Sequence, residues 1–197
     1  MVYTKLASIN RLYFGYEEIA GVLGITLRSA AVSANRYARQ GLLVRIRRNL
    51  YTLSEKWKGI GREELFELAG LIQAPSYVSL TTALSYYDMT TQVQQGFVES
   101  IALKRTKKID VKGSIFNYCK IDKKLYFGFR RERGFFIASP EKALLDAVYL
   151  MSINRYSLDM AAIDSGKLNT ASIAAMAKKF PLKTRQALKE YGYLKKA

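Results

Sequence analysis

The residues best equipped for chemistry lie between positions 28 and 49. Arg28, Ser29, Ser33 and Arg36 fall on one face if the chain is helical there. Arg45, Arg47 and Arg48 follow in the alternating stretch Leu43-Val44-Arg45-Ile46-Arg47, which ends at Arg48-Asn49. Guanidinium groups grip oxyanions, and hydroxyls and amides add hydrogen bonds to phosphates or base edges. The chemistry in prospect is recognition of a nucleic acid, with no bond made or broken.

The rest of the composition offers little to catalysis. Histidine is absent, which removes Ser-His-Asp and Cys-His machinery and histidine metal sites. A single cysteine, Cys119, forbids an internal disulfide and a cysteine zinc cluster. No phosphate-binding glycine loop of the Walker type occurs. Gly113-Ser114 opens as nucleotidyltransferases do, but no acidic pair follows at a spacing that would hold Mg²⁺. The expectation is a protein with no enzymatic activity, cofactor or metal. The net charge of +16 draws in polyanions, and nucleic acid is the first candidate. With no apolar run long enough to span a bilayer and no signal-peptide pattern, a cytoplasmic protein without membrane contact is expected.

The elements that position the arginines are marked by local signals. Tyr16–Leu23 reads as a short helix stopped by Gly24, and Thr26 is a suitable N-cap for a second helix that runs to about Gln40 before Gly41. Leu27, Ala31, Ala34, Tyr37 and Ala38 are assigned to its inner face, leaving Arg28, Ser29, Ser33, Arg36 and Arg39 outside. Val32 fits either a thymine methyl or the core. Asn49 suits a tight turn, so strands at Leu43–Arg47 and Leu50–Leu53 form a hairpin with arginines on its outer side and tip. This is the pattern of a winged helix-turn-helix, with its second helix in the major groove and the hairpin arginines on phosphates or a minor groove.

Domains are expected at 1–55 (winged helix-turn-helix), 56–75 (polar linker and connecting helix) and 76–197 (mixed α/β, with a small sheet and C-terminal helices), an α+β protein overall. β-rich runs lie at Phe97–Leu103, Ile115–Ile121 and Phe135–Ala138, with weaker ones at Lys107–Val111 and Tyr126–Phe129. Ser139-Pro140-Glu141 is a helix start, and its Ser-Pro-Glu-Lys stretch reads as capping. Further helices are expected near Leu158–Ile163, Thr170–Lys179 and Leu182–Gly192. Residues 76–197 hold 21 Lys+Arg against 10 Asp+Glu. Lys104, Arg105, Lys107 and Lys108, with Arg130 and Arg131, would form a second basic surface if their hairpin loops converge.

Three features in order, the N-terminal helix pair with hairpin, Tyr77-Val78-Ser79-Leu80-Thr81-Thr82-Ala83-Leu84-Ser85-Tyr86-Tyr87, and Phe136-Ile137-Ala138-Ser139-Pro140-Glu141-Lys142-Ala143-Leu144-Leu145-Asp146, resemble the AbiEi-type antitoxins of type IV toxin–antitoxin (abortive infection) systems. The resemblance spans about residues 5 to 165. It implies a phage-defence antitoxin that binds inverted repeats in its operon's promoter as double-stranded DNA and represses transcription. It further implies a C-terminal domain that counteracts a nucleotidyltransferase toxin, typically without a stable complex. An alternative is an effector-responsive winged-helix repressor with no antitoxin role.

Overall fold

The computed structural model describes residues 2–92 and 95–195. The chain divides into two compact units, residues 1–62 with 111–113, and residues 63–110 with 114–197. Each has its own core.

The first unit holds α1 (Val2–Ala7), α2 (Tyr16–Leu23), α3 (Leu27–Arg39), the antiparallel strands β1 (Leu43–Arg47) and β2 (Leu50–Leu53), and α4 (Ser54–Lys58). Gly24 ends α2 in the left-handed conformation, φ 67°, with its N–H donating to Ala20 O. Thr26 caps α3 by accepting from Ser29 N at 3.2 Å. Leu6, Phe14, Ile19, Ala30, Ala34, Leu43 and Tyr51 make the centre of this core. Phe14 exchanges two backbone hydrogen bonds with Tyr51, adding a one-residue third strand to the hairpin.

Two expectations fail here. Leu27 is 55 % exposed and Ala30 is fully buried, so the inner stripe of α3 runs through 30, 34 and 37. Leu27 is the first helical residue, one step ahead of that stripe. The polar stretch expected to link the domains is also no linker. It begins with α4, whose Trp57 is buried. Nor does a separate 56–75 connector exist, because α5 (Arg62–Ile72) buries Leu65, Phe66, Leu68 and Ala69 and belongs to the second unit from Glu63 on.

The second unit is built on a six-stranded mixed sheet in the order β5-β6-β4-β3-β8-β7. Its strands are β3 (Ser76–Val78), β4 (Phe97–Ala102), β5 (Lys107–Val111), β6 (Ser114–Lys120), β7 (Phe129–Glu132) and β8 (Phe135–Ala138). β3 runs antiparallel to β4 and parallel to β8, while β4 pairs parallel with β6 across the crossover that β5 makes. The helices are α6 (Leu80–Tyr86), α7 (Pro140–Ser152), α8 (Thr170–Ala177) and α9 (Leu182–Glu190). Ser139 caps α7 by accepting from Lys142 N, and Asn169 caps α8 through Ser172 N. Leu144, Leu145, Ala147, Val148 and Leu150 of α7 are fully buried. On β6, Tyr118 is buried and its hydroxyl donates to Ala69 O of α5 at 2.7 Å, while the buried Cys119 thiol is pushed up to about 11 by burial.

The small sheet expected from sequence is thus larger and mixed. β7 begins at Phe129 and carries Arg130 and Arg131 within it; Tyr126 lies before it. The helix expected at Leu158–Ile163 is a single 3₁₀ turn, Met160–Ala162. Among the described residues no helix is long and apolar enough to cross a membrane.

Candidate nucleic-acid interface

The outer face of α3 presents Arg28, Ser29, Val32 and Arg36 to solvent, with Ser33 half-buried. Val32 is 68 % exposed, which removes the core-packing alternative for it. Ser29 is partly engaged: Thr26 Oγ1 donates to its hydroxyl at 3.0 Å as part of the cap. Arg36 donates to the Tyr37 hydroxyl at 3.2 Å and lies 5.1 Å from the centroid of that ring, which orders its guanidinium.

The hairpin alternates as its sequence does. Leu43, Val44 and Ile46 are buried, and Arg45, Arg47 and Arg48 are exposed. What joins hairpin to helix is Asn35, a residue the sequence reading passed over. Its amide donates to Ala31 O at 3.0 Å, which turns its Oδ1 toward the hairpin. Tyr51 Oη donates to that oxygen at 3.4 Å, and Arg45 Nη1 approaches it at 3.5 Å. Burial pushes the Tyr51 phenol up to about 12, so it remains a neutral donor. Arg45 therefore sits beside the outer face of α3, and the two cationic elements are continuous.

Asn49 makes the tight turn expected of it and does a second job besides. Its backbone is left-handed, φ 55°, and its Oδ1 accepts from Tyr16 N at 2.6 Å, satisfying an orphan donor at the start of α2. A Cβ on Gly15 would lie 2.9 Å from that oxygen, so the glycine makes room for it. Asn49 ties the hairpin tip to the start of α2 while remaining exposed, with its Oδ1 engaged by the Tyr16 N–H.

The second basic surface does not assemble. Lys107 and Lys108 lie on β5 and Arg130 and Arg131 on β7, the two opposite edges of the sheet. Five inter-strand spacings separate them, roughly 24 Å. Lys104 and Arg105 fall in the crossover before β5. Arg130 is also partly spent, in an ion pair with Glu132 at 3.0 Å and 5.7 Å from the Tyr87 ring centroid. Basic side chains on edge strands discourage edge-to-edge pairing, a role that suits Lys107, Lys108, Arg130 and Arg131.

Sequence reasoning missed the most heavily built polar site. Lys142 and Asp146, one turn apart on α7, are both completely buried and form an ion pair. Asp146 Oδ2 accepts from Tyr77 Oη and Ser79 Oγ, each at 2.9 Å, and Lys142 Nζ donates to Tyr77 Oη at 3.0 Å. The ammonium lies 5.0 Å from the Phe127 ring centroid and 5.3 Å from that of Phe180. Burial pushes the Asp146 carboxyl up and draws the Lys142 ammonium down, while their mutual attraction opposes both shifts. Gly128, at φ 73°, lets the chain pass over this lysine; a Cβ there would be 2.9 Å from Lys142 Cγ. Sealed from solvent, the network is a clasp between β3 and α7. The available signal was an opposite-charge i, i+4 pair bordering the apolar stripe of Ala143, Ala147 and Leu150.

A second buried carboxyl is Glu99 on β4. Tyr156 Oη donates to it at 3.0 Å and is itself 2.8 Å from Thr81 Oγ1, yet burial outweighs these contacts and pushes Glu99 up to about 7. Among the described residues no group of three or more acids and cysteines is placed to hold a metal ion.

These features define a mixed α+β protein with a helical, hairpin-bearing first unit and a sheet-centred second unit. The fold is similar to that of the Rv2827c protein of Mycobacterium tuberculosis, known from a crystal structure, with a TM-score of 0.62 at 12 % sequence identity. The match covers 96 % of this chain and 74 % of that one, and at this identity it speaks to the fold alone. Neither a protein-family model nor a curated protein sequence matches the chain.

Proposed function

We propose that this protein is a DNA-binding antitoxin that represses its own operon. The first unit is read as a winged helix-turn-helix: α2 and α3 are the helix pair, and β1–β2 the wing. In this reading the N-terminal half of α3 enters the major groove, where Arg28, Ser29, Val32, Ser33 and Arg36 meet base edges and flanking phosphates. Arg45, Arg47 and Arg48 clamp the backbone alongside. The observation that carries the reading is the continuity of the two cationic elements through Asn35, which places Arg45 beside the exposed face of α3. An exposed valine among those cations supports it too, since an apolar side chain there has a thymine methyl as a natural partner.

The antitoxin role rests on the resemblance of residues 77–87 and 136–146 to AbiEi-type antitoxins. In support, those two stretches are the ones that supply Tyr77, Ser79, Lys142 and Asp146 to one buried network. On this proposal the second unit counteracts a nucleotidyltransferase toxin, without a stable complex.

The interface is tested by gel shift on the DNA upstream of the protein's own operon. Arg28→Ala is expected to cost about 1–3 kcal/mol of binding and to relax specificity at one base position. Arg45→Ala is expected to weaken all sequences alike and to flatten the salt dependence. Unchanged binding by both variants rules this interface out.

A further inference from the structure

Basic residues crowd the end of the second unit. From Lys178 to Lys195 the chain carries Lys178, Lys179, Lys183, Arg185, Lys189 and Lys195 against one acid, Glu190. α8 and α9 are fixed from within by the buried Ile173, Ala177, Thr184 and Leu188, and Thr184 Oγ1 lies 3.0 Å from Ser152 Oγ of α7. On their outer side the helices leave an open groove of about 390 Å³. Lys178, Arg185, Lys189 and Lys195 line it, with Gln186 between them and Leu182, 62 % exposed, at one end.

Those four cations have no ion-pair partner among the described residues. Arg185 is half-buried along the groove, and its Nε makes no hydrogen bond within the protein. A guanidinium with unused donors, between lysines that repel one another, is a strong attractor for an oxyanion. The cations are also strung out. Arg185 and Lys189 are one helical turn apart, about 6 Å along the axis, and Lys178 and Lys195 stand on other segments. A single small anion calls for donors that converge on a point, whereas a strand of nucleic acid offers a charge every 3.4 Å or so of its axis. The exposed Leu182 gives an apolar wall for a sugar.

We infer that the α8–α9 groove is a second nucleic-acid site, which holds a phosphodiester backbone without reading sequence. It goes beyond the α3 interface and stands independently of it.

The test uses the full chain and a short fluorescein-labelled DNA duplex of unrelated sequence, with binding followed by anisotropy over a series of salt concentrations. Arg185→Ala/Lys189→Ala is expected to lower the slope of log K against log salt by about 1.8, two phosphates at roughly 0.9 each. Lys178→Glu/Lys189→Glu, at positions outside the core, is expected to lower it at least as much, so a folding defect in the first variant leaves the question answerable. Retention of the wild-type slope by both variants overturns the site. Displacement of the duplex by ATP at equal phosphate concentration also overturns it, in favour of a nucleotide pocket. Arg45→Ala measured alongside separates the two sites: its failure to weaken binding counts against the α3 and hairpin interface, and a reduced slope in the groove variants supports the groove whichever way Arg45→Ala falls.

Discussion

Asp146→Ala is expected to destabilise the second unit by roughly 3–5 kcal/mol, because it strands the Lys142 charge in a dry core with only Tyr77 as a hydrogen-bond partner. Most of that loss is the penalty on the abandoned ammonium; the pair itself contributes far less. The double variant Lys142→Met/Asp146→Leu removes both charges together and should recover much of the loss. Urea unfolding followed by far-UV circular dichroism measures both. Equal destabilisation by single and double variants would mean that the clasp stabilises in its own right. Recovery in the double would mean that the pair adds little net stability over apolar packing between α7 and β3.

The second large effect is a pH dependence centred on Glu99. Its folded-state pKa stands above the value of about 4.5 that it has when unfolded, reaching about 7. Between those values the native state binds more protons than the unfolded state, so stability is full below pH 4.5 and declines as the pH rises through 7. The decline is on the order of 3 kcal/mol for this group. Glu99→Gln keeps an acceptor for Tyr156 Oη and has no proton to lose. It should lose the share of the decline that belongs to Glu99, and above pH 7 it should exceed the wild type in stability. A wild-type profile that rises across the same range would show that Glu99 remains ionised in the folded protein.

The sequence was most informative where structure is decided locally. Gly24, Thr26 and Asn49 act on their immediate neighbours, and the helices and hairpin of the first unit lie where those residues put them. Ser139 and Asn169 announce α7 and α8 for the same reason. The start of α3 was less legible, because Leu27 shares the stripe of Ala30, Ala34 and Tyr37 by spacing yet is exposed in the first turn of the helix. Strand order was not legible at all. That β5 crosses over to an edge, and that β7 ends the other side, depends on pairings between distant segments, and this is why two basic runs looked like one surface. The Lys142–Asp146 network escaped for the same reason: Tyr77 and Ser79 approach Asp146 from 69 and 67 residues away. For the candidate interface, the arginines of α3 and the hairpin were readable one by one. Their joining through Asn35, and the bond from Tyr16 N to Asn49 Oδ1 at the start of α2, required the tertiary arrangement.

The lone thiol of Cys119 has a practical consequence. It lies on a sheet strand with β4 on one side and β5 on the other, screened from solvent, with a pKa near 11 that leaves almost no reactive thiolate at neutral pH. An alkylating reagent reaches it when that strand is released, and no other cysteine in the chain competes for the label. Incorporation of one adduct per molecule therefore times how often this part of the sheet opens, with native protein and no engineered reporter.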